Sequence, residues 1–178
     1  MHTPRPIPSF IAVATALLAC FFLASGCAYQ LGSVSGKEIA GVKSVFVPII
    51  KNETYEPAIS AMMTDSIIQR FHSDGRLEVS RERDADSVLH VKLVDMKRSP
   101  LRSSRGDTHV VAEYRLQITA QISYSKTGHS KPVIDKELIS ADTEFFIGLN
   151  LQEGERQALG LVSDRLAKRI VERITEGW

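Results

Sequence analysis

Several things that would narrow the function at once are scarce in this sequence. Two cysteines in 178 residues cannot build a disulfide-dense scaffold or, alone, a four-thiolate metal site. An excess of either charge is missing: 22 Lys and Arg face 21 Asp and Glu, and +1 overall gives no global basic field to hold nucleic acid. Long apolar runs are absent too. Phe10–Ala24 spans 15 residues, whereas a membrane-spanning helix needs about 20. There is no Gly-x-Ser-x-Gly elbow, no His-Glu-x-x-His pair and no phosphate-cradling glycine loop. His72, His90, His109 and His129 lack metal-ligand spacing, and Asp84 with Asp86 reads as a solvated turn rather than an acid/base pair. No catalytic residue, cofactor or metal can be named from these patterns. A hydrolase with a dispersed site is the reading they leave to activity profiling.

What is present begins with an address. Residues 1–26 carry Arg5 and no acid, so 27–178 is formally neutral. The short apolar run followed by small residues reads as a secretory signal. Leu23-Ala24-Ser25-Gly26-Cys27 resembles a bacterial lipobox, with Ala24 where Leu is commoner. Small side chains let the peptidase approach, and the Cys27 thiol takes the diacylglyceryl group. Leu17-Leu18-Ala19-Cys20 is a second candidate, but it would leave Phe21, Phe22 and Leu23 exposed at the mature terminus. A plain cleaved signal with an incidental Cys, or an uncleaved membrane anchor, would also account for the apolar run. Two or more acyl chains give stable anchoring, since each buried methylene contributes about 0.8 kcal/mol. By analogy with bacterial lipoprotein sorting, Ala28 rather than Asp favours export to the outer membrane. Residues 27–40, with Gly32, Ser33, Ser35 and Gly36, read as a flexible lipidated tether, and 41–178 as one folded domain.

Within that domain, Val42–Ile50 predicts a strand apolar on both faces, with Pro48 marking an edge or an end. Asn52-Glu53-Thr54 matches a glycosylation sequon, but Asn as a turn former is the better account. Pro57–His72 predicts an amphipathic helix through Ile59, Met62, Met63, Ile67 and Phe71, stopped by Asp74-Gly75. Short strands follow at Arg76–Ser80 and Ser87–Val94. Val110–Tyr124 alternates apolar and polar residues over fifteen positions, which predicts a long antiparallel strand buried on one face. Val133–Ile139 returns with Ile134 and Leu138 on one side, and Phe145 and Phe146 cap the core. A final helix spans about Glu153–Thr175, with Leu159, Val162, Leu166, Ile170 and Ile174 as its stripe. Together these predict an α+β fold: two helices packed on one face of a mainly antiparallel sheet of four to five strands, the other face open.

Asp95–Thr108 breaks the pattern, because Pro100 and Gly106 oppose regular structure. It carries Lys97, Arg98, Arg102 and Arg105 against two acids. Two readings stand here, a solvated hairpin loop or a loop that contacts an anion or a partner.

Nearly the whole mature chain resembles the lipopolysaccharide-assembly lipoprotein (LptE-like) family. The resemblance runs from Gly26-Cys27-Ala28-Tyr29-Gln30-Leu31 through Val47-Pro48-Ile49 and Asn52-Glu53-Thr54-Tyr55-Glu56-Pro57. It continues through Thr64-Asp65, Ala85-Asp86-Ser87-Val88-Leu89 and Glu113-Tyr114-Arg115-Leu116 to Ala158–Trp178. It implies a non-enzymatic outer-membrane lipoprotein facing the periplasm, held by lipid on Cys27. It implies a plug and assembly partner of an LptD-type β-barrel, passing lipopolysaccharide to the outer leaflet. Charge and position, rather than any family motif, make Lys97, Arg98, Arg102, Arg105, Arg115 and Lys136 the candidates to hold lipopolysaccharide phosphates. A generic lipoprotein scaffold subunit of another envelope complex is the competing function.

Overall fold

The computed structural model describes residues 41–102, 112–147 and 151–176. The chain divides into units 1–33 and 34–178, and everything below concerns the second. The signal, Cys27, the tether, Arg105, His109 and Val110 lie outside the described residues.

The element order is β1 (Ser44–Phe46), β2 (Lys51–Asn52), α1 (Ile59–Asp74), β3 (Glu78–Val79), β4 (Ser87–Arg102), β5 (Ala112–Lys126), β6 (Ile134–Ile147) and α2 (Leu151–Glu176). The sheet is mixed and six-stranded, in the order β3-β1-β4-β5-β6, with β2 also on β4. The long strands β4, β5 and β6 pair antiparallel, while the short β1, β2 and β3 pair parallel. The expected α+β class is found, with two helices on one face of the sheet and one strand beyond the expected count.

The periodicities explain the helices. Ile59, Met63, Ile67 and Phe71 are the buried residues of α1, spaced at one turn each. Gly75, at φ 72°, ends the helix and its N–H donates to the Phe71 carbonyl at 3.0 Å, in a conformation costly for a residue with a Cβ. Helix α2 buries Leu159, Val162, Leu166, Ile170 and Ile174 as its stripe predicts, and widens it with Ala158, Ala167 and Val171. These side chains meet Leu116, Ile118, Ala120, Ile122 and Tyr124 of β5 in one core.

Three expectations are corrected by irregularities of the strands. Val42–Ile50 is not one doubly covered strand: it breaks at Pro48, so Val45, Val47 and Ile50 are buried while Ile49 is 82% exposed. Asp95–Arg102 is not a loop but the continuation of β4. Beyond Leu93 that strand pairs only with β5, and Pro100 sits beside a register shift, where a missing amide is tolerated. Leu138 does not join Ile134 inside. The register passes from Ile122↔Glu137 to Tyr124↔Ile134, so Asp135 and Lys136 stand opposite Ser123 alone. This bulge turns Leu138 outward, 62% exposed. A fourth expectation is corrected by plain alternation: β6 runs on to Ile147, so Phe145 joins the core as expected while Phe146, its neighbour on the strand, is 60% exposed and does not cap it.

Candidate functional site

The face of β4–β6 turned away from the helices is polar and uncovered among the described residues. Strand β5 lines it with Arg115, Gln117, Thr119, Gln121 and Ser123, whose alternates form the core. A bulge at Val94 decides what β4 contributes. Leu93 stands opposite Ala120, but Asp95 stands opposite Thr119, so one extra residue has inverted the parity. Asp95 and Lys97 therefore share the open face with His90 and Lys92. Met96 and Arg98, opposite Ile118 and Leu116, turn toward the helices.

The basic residues expected to act together are consequently divided. Lys97 lies on the open face, ion-paired with Asp95 at 2.9 Å. Arg98 lies on the other face, 2.6 Å from Glu155 of α2, a charge contact outside hydrogen-bond alignment. Arg102 ends β4 in register with Glu113. Arg115 is on the open face, bound to Glu144 at 2.8 Å and 3.6 Å from Asp142. Its pKa is raised, first by the hydrogen bond to Glu144 and then by the surrounding carboxylates. Lys136 is at the opposite end, about 27 Å from Arg115 by eight residues of strand rise. Arg115 and Lys97 are diagonal neighbours amid Asp95, Asp142 and Glu144, so the distal end of this face is mixed in charge rather than cationic.

The proximal end is different, and sequence reasoning missed it. Pro48, Ile49, Lys51, His90, Lys92 and Lys136 surround a concavity of about 380 Å³, with Gln121 and Ser123 also in its wall. Four separate stretches of sequence meet there, which no linear motif could announce. Lys92 is 3.2 Å from Glu53. The backbone N–H of Lys136 donates to Ser123 Oγ at 3.2 Å, and its φ of 51° marks the bulge that places it.

Just before β4 a carboxylate ties neighbouring elements together. Asp86 Oδ2 accepts from the Lys43 N–H at 3.0 Å, the Ser44 N–H at 3.1 Å and the Ser44 hydroxyl at 3.0 Å. Those bonds, the one from Lys43 first, lower its pKa. The Thr127 N–H donates to the Asp86 carbonyl at 2.8 Å, so one residue ties β1, β4 and the β5–β6 turn together. Asp86 is thus a structural carboxylate, as its place in Ala85–Leu89 allows. Asn52 is likewise a turn former: Oδ1 accepts from the Thr54 N–H at 2.8 Å and Nδ2 donates to the Glu56 carbonyl at 2.8 Å.

The outer edge of the sheet is guarded. Arg165 donates to the Asp142 carbonyl at 2.7 Å, Arg169 donates to the Ser140 carbonyl, and Arg173 holds Glu137 at 2.8 Å. The three are spaced four residues apart on α2, and Arg165 and Arg169 cap carbonyls that an incoming strand would otherwise engage. Among the described residues no cluster of three His, Cys, Asp or Glu could hold a metal ion, and no helix is long and apolar enough to cross a membrane.

A two-helix layer under a sheet with one wet, charged face defines a small two-layer α+β domain. The chain belongs to the LptE lipopolysaccharide-assembly family, whose model matches residues 42–176. This agrees with the resemblance read from the sequence and supports a role in lipopolysaccharide assembly. No curated protein matches the sequence significantly. Among solved structures, a hypothetical protein from Chlamydia trachomatis is similar at 14% identity and TM-score 0.52, covering 77% of this chain and 97% of that one. A minor lipoprotein from Acinetobacter baumannii is 16% identical at TM-score 0.47, with 76% and 92% covered. At such identities the Chlamydia likeness speaks to the fold alone.

Proposed function

We propose that this chain is a non-enzymatic outer-membrane lipoprotein, held through acyl chains on Cys27, that acts as plug and assembly partner of an LptD-type β-barrel in lipopolysaccharide transport. The observation that carries the reading is the family match over 42–176 on a domain whose sheet leaves one polar face uncovered. A polar face suits the hydrated interior of a barrel, where an apolar one would need burial. The guarded β6 edge fits the same role, because the domain then meets its partner by surface and not by adding a strand. Lipopolysaccharide phosphates find candidate contacts in Lys97, Arg98, Arg102, Arg105, Arg115 and Lys136. Of these, Arg98 is engaged with Glu155 and Arg115 with Glu144, whereas Lys136 has no ion pair with another described residue.

The test is purification of the native lipoprotein from membranes in mild detergent, with partners identified by mass. A barrel protein of much larger mass is expected to co-purify, with the mature terminus at a triacylated Cys27. A lone monomer, or an unmodified terminus released into the soluble periplasm, overturns the reading. Purified lipopolysaccharide competing in the same pull-down separates it from a generic scaffold.

A further inference from the structure

Strand β4 is an edge strand over its second half, and no arginine caps that edge as Arg165 and Arg169 cap β6. Strand β2 pairs with β4 only as far as Leu93, where the Glu53 N–H donates to the Leu93 carbonyl at 2.9 Å. The chain then leaves along the Asn52 turn. From Asp95 to Pro100, about 17 Å of strand, β4 has β5 on one side and no paired strand among the described residues on the other. Antiparallel pairing alternates, so the side that each backbone group faces can be counted. The Leu93 carbonyl faces away from β5, toward β2. Past the bulge at Val94, Asp95, Lys97 and Ser99 bond to Thr119, Gln117 and Arg115, and Met96 and Arg98 turn their N–H and C=O groups to the free side. Pro100 falls on that side too, where its missing amide costs the pairing with β5 nothing. Lys97, Arg98 and Ser99 are exposed.

We propose that the Asp95–Pro100 edge receives an extended acidic segment of a partner protein as an added antiparallel strand. The backbone groups of Met96 and Arg98 supply the pairing, and the side chains select the occupant. A second copy of this chain is disfavoured. The two-fold registers that keep both Met96 and Arg98 against strand between Asp95 and Pro100 centre on Lys97 or on Arg98. Each sets like charges directly opposite, which destabilises the pair. A strand of another protein with acids at those positions fits instead. Lys97 keeps 68% of its side chain exposed beside Asp95. Arg98 keeps 47% exposed, and its contact with Glu155 lies outside hydrogen-bond alignment. An incoming carboxylate gives each cation a charge-assisted bond. Met96, partly buried against the core, favours an apolar residue on the same face as the acid opposite Arg98. Read from its own N-terminus, the segment is acid, acid, apolar, set opposite Arg98, Lys97 and Met96. This contact is separate from the barrel contact proposed above, which uses the open face of the sheet and a different partner.

The test uses the full lipoprotein in detergent, with amide hydrogen exchange read residue by residue. In the free protein the Met96 and Arg98 amides are expected to exchange about tenfold or more faster than those of Lys97 and Ser99. The probes are synthetic peptides: an alternating Thr/Val strand with Glu-Glu-Val at its centre, the same strand with Lys-Lys-Val, and the Glu-Glu-Val peptide with its backbone N-methylated. The first is expected to slow exchange at Met96 and Arg98 and to bind about tenfold more tightly than either of the others. Lys97→Gln/Arg98→Gln is expected to cut the preference for the acidic peptide to about twofold while leaving the free-state exchange pattern unchanged. Met96 and Arg98 amides as protected in the dilute free protein as those of Lys97 and Ser99 overturn the free edge. Protection that grows with protein concentration makes a second copy the occupant and overturns the acidic partner. Equal binding of the N-methylated peptide overturns strand addition, and equal binding of the Lys-Lys-Val peptide overturns the selection by charge. Exchange unchanged by every peptide overturns the site.

Discussion

Two glycines of α2 should respond in opposite directions to the same substitution. Gly160 lies inside the helix, and a Cβ there would meet nothing within 4 Å. Gly160→Ala therefore gains the helix preference of Ala over Gly, about 0.8–1 kcal/mol. A Cβ on Gly154 would lie 2.9 Å from the Phe146 backbone carbonyl oxygen and 3.5 Å from Phe145 Cδ2. The oxygen belongs to β6, so relief requires the start of α2 to lift from the strand. Overpacking of this kind costs about 1–3 kcal/mol, which cancels or exceeds the helix gain. An unfolding entropy of about 2.1 cal/mol/K per residue makes 1 kcal/mol worth about 3–4 °C in a domain this size. Gly160→Ala should raise the melting temperature by about 3 °C, and Gly154→Ala should leave it unchanged or lower it by up to about 7 °C. Thermal melts of the full chain in detergent by calorimetry decide the matter. The consequence reaches the neighbouring charges, because Glu155 follows Gly154 and receives Arg98. Equal stabilisation by both substitutions would refute the claim that α2 is pinned against β6 by backbone proximity.

Three further outcomes follow from the same geometry. Asp86 has a folded pKa below its ordinary value, so its stabilising effect is complete above about pH 4 and fades as pH falls through the lower folded value. Asp86→Asn should melt below wild type at neutral pH and converge with it in acid; a gap that persists unchanged at pH 2 would sink the assignment. Tyr124 is fully buried with its hydroxyl lacking a well-formed hydrogen bond, although Ser87 is close, and burial is the main cause that raises its pKa. Tyr124→Phe should be neutral or stabilising by up to about 1 kcal/mol in denaturant titration, and a loss of about 2 kcal/mol would reveal a partner for the hydroxyl. Arg165→Ala/Arg169→Ala uncovers the Ser140 and Asp142 carbonyls, so light scattering should show concentration-dependent association at little cost in stability; a variant as monomeric as wild type would mean that the guanidinium caps do not guard the edge.

The fold was legible wherever one period ran uninterrupted. Fifteen alternating residues announced β5, and turns of apolar residues announced both helices, because burial of a single face leaves little choice of register. Each misreading traces to one added residue or one proline. Val94, the Asp135–Lys136 pair and Pro48 each change parity, after which every side chain exchanges faces. A bulge carries no composition signal of its own, so extrapolating the alternation past it places Leu138 and Ile49 inside when both are out.

The same arithmetic governs the site. A run of basic residues such as Lys97, Arg98, Arg102 and Arg105 looks like one patch only while the chain is read as a line. Once β4 continues as a strand, Lys97 and Arg98 point to opposite faces. The nearest carboxylates on β6 and α2, which no local window contains, then take up Arg115 and Arg98. Lys51 and Lys136, which have no ion pair with another described residue, instead meet the Glu53-paired Lys92 where β2, β4 and the β6 bulge converge. Lys92 and Lys136 come within reach because the bulge opposite Ser123 turns β6 at that point, with Lys136 held at positive φ. Deleting Asp135 should therefore straighten β6 and displace Lys136, while Leu138 stays on the open face, because the register beyond the bulge is already set by Ile122↔Glu137 and Gln121↔Leu138.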